Sequence, residues 1–148
     1  MTDILKKPAD VLLKRAEEVT REELQSEEFK KNVKTMIEVG SSYNAAGVAA
    51  PQIGWSKRVF IYFDEIWKVV INPIVKMKSE RVSNIERCLS CDNTYKVKRY
   101  KRIRVDAVNL RGEGIVIDSR NKKISFCLQH EIDHLNGILI ADIGKLED

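Results

Sequence analysis

The chain contains two histidines, and both fall in the run Gln129-His130-Glu131-Ile132-Asp133-His134. Spaced four apart on a helix, two imidazoles lie on one face, one turn apart, and reach the same ion. Glu131 follows the first histidine. In this pattern it acts as a general base on a metal-held water rather than as a ligand. Random placement would produce the arrangement on the order of once in a thousand. The pattern predicts the catalytic helix of a metal-dependent hydrolase.

An open catalytic site needs three protein ligands and one free position. Beyond His134 there is no further histidine or cysteine, and the only carboxylates are Asp142, Glu147 and Asp148. The third ligand is therefore expected upstream, where Cys88 and Cys91 offer thiolates suited to Fe2+ or Zn2+. Two alternatives stand beside this reading. One is a metallopeptidase or other amidase built on the same helix. The other is a closed Cys2His2 structural zinc site made from Cys88-Leu89-Ser90-Cys91 and the two histidines. Against the closed site, the stretch between Cys91 and His130 far exceeds the roughly 12–15 residues of a zinc-finger loop. A structural site also has no use for Glu131. Cys127 sits on the apolar stripe of the last helix, as a small buried hydrophobe would.

These residues need elements to hold them. With 148 residues, the chain is expected to form a single domain over 1–148, with a core that needs no disulfide or metal staple. Thr20-Arg21-Glu22-Glu23 and Ser26-Glu27-Glu28 are two helix-start signals. Phe29, Val33, Met36 and Ile37 then recur at helical spacing, and Gly40 suits the position just past a helix end. A helix is predicted over about 24–39, with a shorter helical turn near 8–16. Ala45 to Gly54 reads as a close-packed loop or short edge strand. Strands are predicted over 58–63, 67–71 and 74–77, the last two broken by Asn72-Pro73. Tyr95–Val108 alternates, Arg111 to Gly114 turns, and Ile115–Ile117 returns as a hairpin arm. Ser119–Asn136 reads as a helix ended by Gly137. Strands and helices do not alternate, so the predicted class is α+β, a mostly antiparallel sheet packed around a central metal-binding helix.

Composition excludes several roles. No apolar run approaches the roughly 18 residues of a membrane span. The N-terminal residues carry no secretory pattern, and three cysteines fit a reducing compartment, so a cytoplasmic location is expected. A net charge of +4 is too mild to demand specific DNA binding.

Three segments stand in order: Gly47-Val48-Ala49-Ala50-Pro51-Gln52, Glu86-Arg87-Cys88-Leu89-Ser90, and the histidine run. Together they resemble the three motifs of the peptide deformylases, along nearly the whole chain. The resemblance implies an enzyme that removes the formyl group from formyl-methionyl nascent peptides and releases formate. It implies one divalent metal ion, Fe2+ or Zn2+, held by Cys88, His130 and His134, with Glu131 as the proton carrier. Gln52 and the backbone N–H of Leu89 would donate to the oxyanion. Ala46 and Gly47 would pair with the peptide backbone in strand fashion, and Phe126 and Cys127 match the methionine pocket.

The chain departs from the family pattern at four places. Ala45 stands for the first loop glycine, Arg87 for a glycine, and Cys91 and Asp92 for an apolar residue and a proline. Arg87 is expected to narrow the cleft or meet an acidic group on the peptide. Glu86 is kept, as a buried partner for a positive group. The sequence stops soon after His134, as in the short phage-type enzymes, without the C-terminal helix that helps many bacterial members dock on the ribosome. The basic stretch Lys96–Arg104 reads as a solvated strand face, with ribosomal RNA contact as the sharper alternative.

Overall fold

The computed structural model describes residues 3–7 and 9–147. After a 3-10 turn at Asp10–Leu13, the two helix-start signals are both used. Thr20 and Glu23 form a reciprocal capping box on the one-turn helix α1 (Arg21–Leu24). Ser26 then caps α2 (Glu27–Ser42) by accepting the Phe29 N–H. The helix continues past Gly40, which corrects its expected end. A Cβ on Gly40 would stand 2.8 Å from the Trp67 ring. This glycine serves close packing, and Asn44 takes the left-handed conformation instead.

Short strand β1 (Gly47–Ala49) leads through a 3-10 turn, Ala50–Ile53, to β2 (Val59–Asp64). A long β3 (Ile66–Glu86) pairs with β4 (Tyr95–Val108), and β5 (Gly114–Ser119) follows. All pairings are antiparallel, in the order β1-β2-β3-β4-β5. Helix α3 (Lys122–Leu135) carries the histidines. One turn, α4 (Ile140–Ile143), and the two-residue strand β6 (Lys145–Leu146), which pairs with β4, close the described chain.

The expected break at Asn72-Pro73 does not end the strand. Asn72 adopts φ 51° at a register shift, and its side-chain amide binds the Val19 backbone N–H and C=O. The bulge is thereby anchored, and β3 resumes beyond it. Residues 78–85 carry no strand-like alternation because both faces of this hairpin arm are exposed or half-exposed.

The sheet is a middle layer. Val59, Ile61 and Ile71 face α2 with Phe29, Val33 and Met36. Phe60, Tyr62, Val70, Ile103 and Val105 face α3, where Leu128, Ile132 and Leu135 meet them. β2 is buried on both faces, which is why it reads as a continuous apolar run. The α+β class is as expected.

Candidate metal centre

α3 begins where Asn121 accepts the Ile124 N–H. It ends at Gly137, whose φ of 74° and 2.8 Å clearance from the Leu13 backbone admit no side chain. Two side chains fix its position. Gln129 bonds both backbone groups of Tyr100 on β4. Arg58, just before β2, donates to the Leu135 carbonyl and to Asn136 at the C-terminal end.

So placed, α3 turns His130, Glu131 and His134 toward the loop after β3. The ligand atoms of Cys88, His130 and His134 lie within 4.8 Å of one another. Cys88 Sγ is 3.3 Å from His134 Nε2. Cys91 does not join this cluster.

Beneath the cluster is a buried charge network. Glu86 accepts two hydrogen bonds from Arg99, each 2.8 Å, and meets His130 Nδ1 at 2.9 Å. Arg99 also binds Asp133 at 2.6 Å. An imidazole that donates from Nδ1 to a carboxylate keeps the Nε2 lone pair free for an ion. Burial favours the neutral form of His130, but Glu86 and Glu131 outweigh it and raise its pKa. Burial pushes His134 well below the usual histidine range, so it is a neutral donor.

Arg99 corrects one expectation. It belongs to the basic stretch, yet it is 3% exposed and points into the core. It shares its strand face with Val97, Ile103 and Val105, which are also buried. That parity was visible in the sequence, but the run of positive charges hid it. Lys96, Lys98 and Arg104 do face solvent.

Burial would raise Glu86, but the hydrogen bonds from Arg99 and His130 prevail and bring it down to about 2. The folded carboxyl thus holds its proton less tightly than the unfolded one. Its stabilisation is full above about pH 4.5 and is lost as pH falls toward 2. At ~1.4 kcal/mol per unit this is about 3 kcal/mol. Arg99→Leu should cost about 3–5 kcal/mol at neutral pH by leaving buried charge unpaired. It should also flatten this acid limb. Urea titrations of the metal-free protein between pH 7 and 3 measure both; an unchanged limb would detach Glu86 from Arg99.

Glu131 is 4% exposed, and its Oε1 has no partner among the described residues. Burial first, then Glu86 and Asp133, outweigh His130 and Arg99 and raise its pKa to about 7. A carboxylate oxygen left bare in a buried polar pocket fits a site that receives water or an ion. A cysteine sulfur and two imidazoles likewise form a donor set suited to Fe2+ or Zn2+.

Gly47 on β1 lies directly over Glu131: a Cβ there would stand 2.7 Å from Oε2. The Phe63 N–H donates to the Ala46 carbonyl, and Gly47 pairs opposite Tyr62. By antiparallel alternation, Gly47, not Ala46, turns its N–H and C=O off the free edge of the sheet.

Gln52 is 2% exposed. Its Oε1 accepts the Ala49 N–H, which fixes the amide's orientation. Its Nε2 donates to Ser90 Oγ at 3.1 Å and lies 3.9 Å from Cys88 Sγ. No backbone hydrogen bond among the described residues takes the Leu89 N–H.

A cleft of about 870 Å³ opens over these groups. Gln52, Cys88, His130 and Glu131 border it, with Phe126 and Cys127 on one wall and Arg87 at the rim. Arg99, Asp133 and Ser90 were not singled out from the sequence as site residues.

The fold and these side chains define a metallohydrolase-type domain. A family model described as polypeptide deformylase matches residues 1–147. A peptide deformylase of Thermotoga maritima is 41% identical over 135 residues, 89% of this chain and 80% of that protein. A crystal structure of peptide deformylase from Thermotoga maritima matches with a TM-score of 0.90 at 37% identity, covering 97% of both chains. A class I type b peptide deformylase from Acinetobacter baumannii, solved with Met-Ala-Ser bound, matches with a TM-score of 0.89 at 30% identity, covering 95% of this chain and 97% of that one. The chain belongs to the polypeptide deformylase family.

Proposed function

We propose that this protein removes the N-formyl group from formyl-methionyl peptides, using one Fe2+ or Zn2+ ion held by Cys88, His130 and His134. The observation that carries the reading is the convergence of those three donors beside a buried carboxylate with a bare oxygen. The bound ion supplies Lewis acidity that lowers the pKa of a water.

The rest is done by the chain. Glu131 takes the proton of the attacking water at its carboxylate and returns it to the departing amine nitrogen. Oxygen charge develops as the formyl carbon becomes tetrahedral. Gln52 Nε2 and the Leu89 N–H donate to that oxygen. Ala49 and Ser90 hold the Gln52 amide in place, so little reorganisation is needed as charge builds. Formate leaves, and the peptide keeps a free amino group.

Gly47 supplies strand-type backbone bonds to the peptide, which tolerate varied sequences. Its lack of a side chain keeps Glu131 accessible. Phe126 and Cys127 border the methionine pocket, and Arg87 meets the peptide at the rim. The substrate is nascent chains in the cytoplasm. Lys96, Lys98 and Arg104 are the residues that would meet ribosomal RNA. Neutralising these three should weaken salt-dependent ribosome binding; unchanged binding would remove that contact from the account.

Replacing Gln52 by Ala should lower kcat roughly 10²–10³-fold, the typical loss of one oxyanion donor. Formate release by the metal-loaded variant measures it, and a change confined to KM would contradict the role. Product masses separate this function from a peptidase on the same helix: formyl-Met-Ala-Ser should yield intact Met-Ala-Ser. Free Ala-Ser with the formyl group retained would favour the peptidase.

A further inference from the structure

Three residues beyond Cys88 stands a second cysteine that the proposed mechanism does not use. Cys88-Leu89-Ser90-Cys91 forms a tight turn in which the Cys91 N–H donates to the Cys88 carbonyl at 3.0 Å. The Ser90 N–H donates to Cys88 Sγ at 3.4 Å. Such a turn keeps its outer Cα atoms within about 7 Å, and disulfides bridge Cα separations of about 4.4–6.8 Å. Cys91 packs against the buried cluster that contains Cys88, Val97 and Ile140. Cys91 is partly exposed and lines the cleft, so a small oxidant reaches it by the route open to substrate. The third thiol, Cys127, instead lies 3.7 Å from the Ala46 carbonyl.

We propose that Cys88 and Cys91 form a redox modification site, in which hydrogen peroxide converts the pair to a disulfide and removes the Cys88 sulfur from the metal donor set. The Cys91 sulfur attacks one peroxide oxygen and the O–O bond breaks. Cys91 becomes a sulfenic acid, and the other oxygen leaves as water with the thiol proton. The Cys88 sulfur then attacks Cys91 Sγ. The S–S bond forms, the S–O bond breaks, and the second oxygen leaves as water with the remaining thiol proton. Two electrons pass from the thiol pair to peroxide, and a dithiol reductant reverses the change by exchange. Without Cys91, an oxidised Cys88 has no neighbouring thiol to capture it and climbs to irreversible acids. The disulfide does not depend on what Cys88 binds; its effect on metal loading rests on the ligand set proposed above.

Trypsin cleavage after Arg87 and Lys96 leaves both cysteines in one peptide, separate from Cys127. The metal-free full chain is treated with hydrogen peroxide, digested and weighed, and its Zn2+-binding capacity is measured before and after dithiothreitol. The 88–96 peptide should lose two hydrogens and regain them on reduction, and Zn2+ capacity should vanish and return in full. In Cys91→Ser, the peptide should gain oxygen, and dithiothreitol should no longer restore Zn2+ binding. A native peptide that gains oxygen, a Cys88–Cys127 link, or equal recovery in Cys91→Ser would each overturn the proposal. Two hydrogens lost with Zn2+ binding intact would uphold the disulfide and refute Cys88 as a ligand.

Discussion

Glu131→Gln should retain its metal and lose turnover by about 10²–10⁴-fold, the usual worth of a positioned general acid–base group. The amide is nearly the same size, so the packing of Gly47 against this side chain survives. What is lost is the ability to hold a proton between water and amine. Glu131 sits against the site without being one of the three gathered donors. Metal content should therefore stay at the native level while formate release collapses. Substantial residual activity would remove Glu131 from its role as base. Equal loss of metal and activity would make it a ligand instead.

The second large effect is on the metal itself. Removing even an outer-sphere partner of a metal ligand typically costs 10–100-fold in affinity. Cys88→Ser removes a donor outright, so affinity should fall by at least roughly a hundredfold, with activity following. Cys91→Ser should keep the metal, because Cys91 stands outside the donor cluster. Competition against a chelator of known affinity measures both. Metal loss on changing Cys91 as well as on changing Cys88 would restore the closed Cys2His2 alternative.

The gathered donor side chains were legible in the sequence because the spacing of the two histidines is short-range. His130 and His134 fall on one helical face wherever that helix sits, and the sheet only had to bring Cys88 to them. Alternation likewise exposed β4, and a continuous apolar run exposed β2. What stayed hidden depends on distant partners. Gly40 looked like a helix end because its neighbour Trp67 lies far along the chain, on β3. Asn72-Pro73 looked like a break because the Val19 backbone that anchors the bulge is far away in sequence. Arg99 looked like surface charge because Glu86 and Asp133, which neutralise it, come from a second strand and the metal helix. Glu86 carried a partial signal, a carboxylate close to Cys88, and its cationic partner proved to be Arg99.

Gly47 shows how the two levels combine. Its place in the first motif suggested contact with a peptide backbone. The register of β1 on β2 leaves the N–H and C=O of Gly47, rather than those of Ala46, facing the free edge of the sheet. The missing side chain has a second consequence, since even one carbon there would crowd the Glu131 carboxylate. The free sheet edge and the buried carboxylate thus meet at a single residue.

The most direct test is formate release from formyl-Met-Ala-Ser by protein purified without oxygen and assayed for metal. Expected are one Fe2+ or Zn2+ per chain, formate and free Met-Ala-Ser in equal amounts, and loss of both products when the ion is stripped, with recovery when it returns. Metal-loaded protein that releases no formate, or formate release that persists without the ion, would contradict the proposed function.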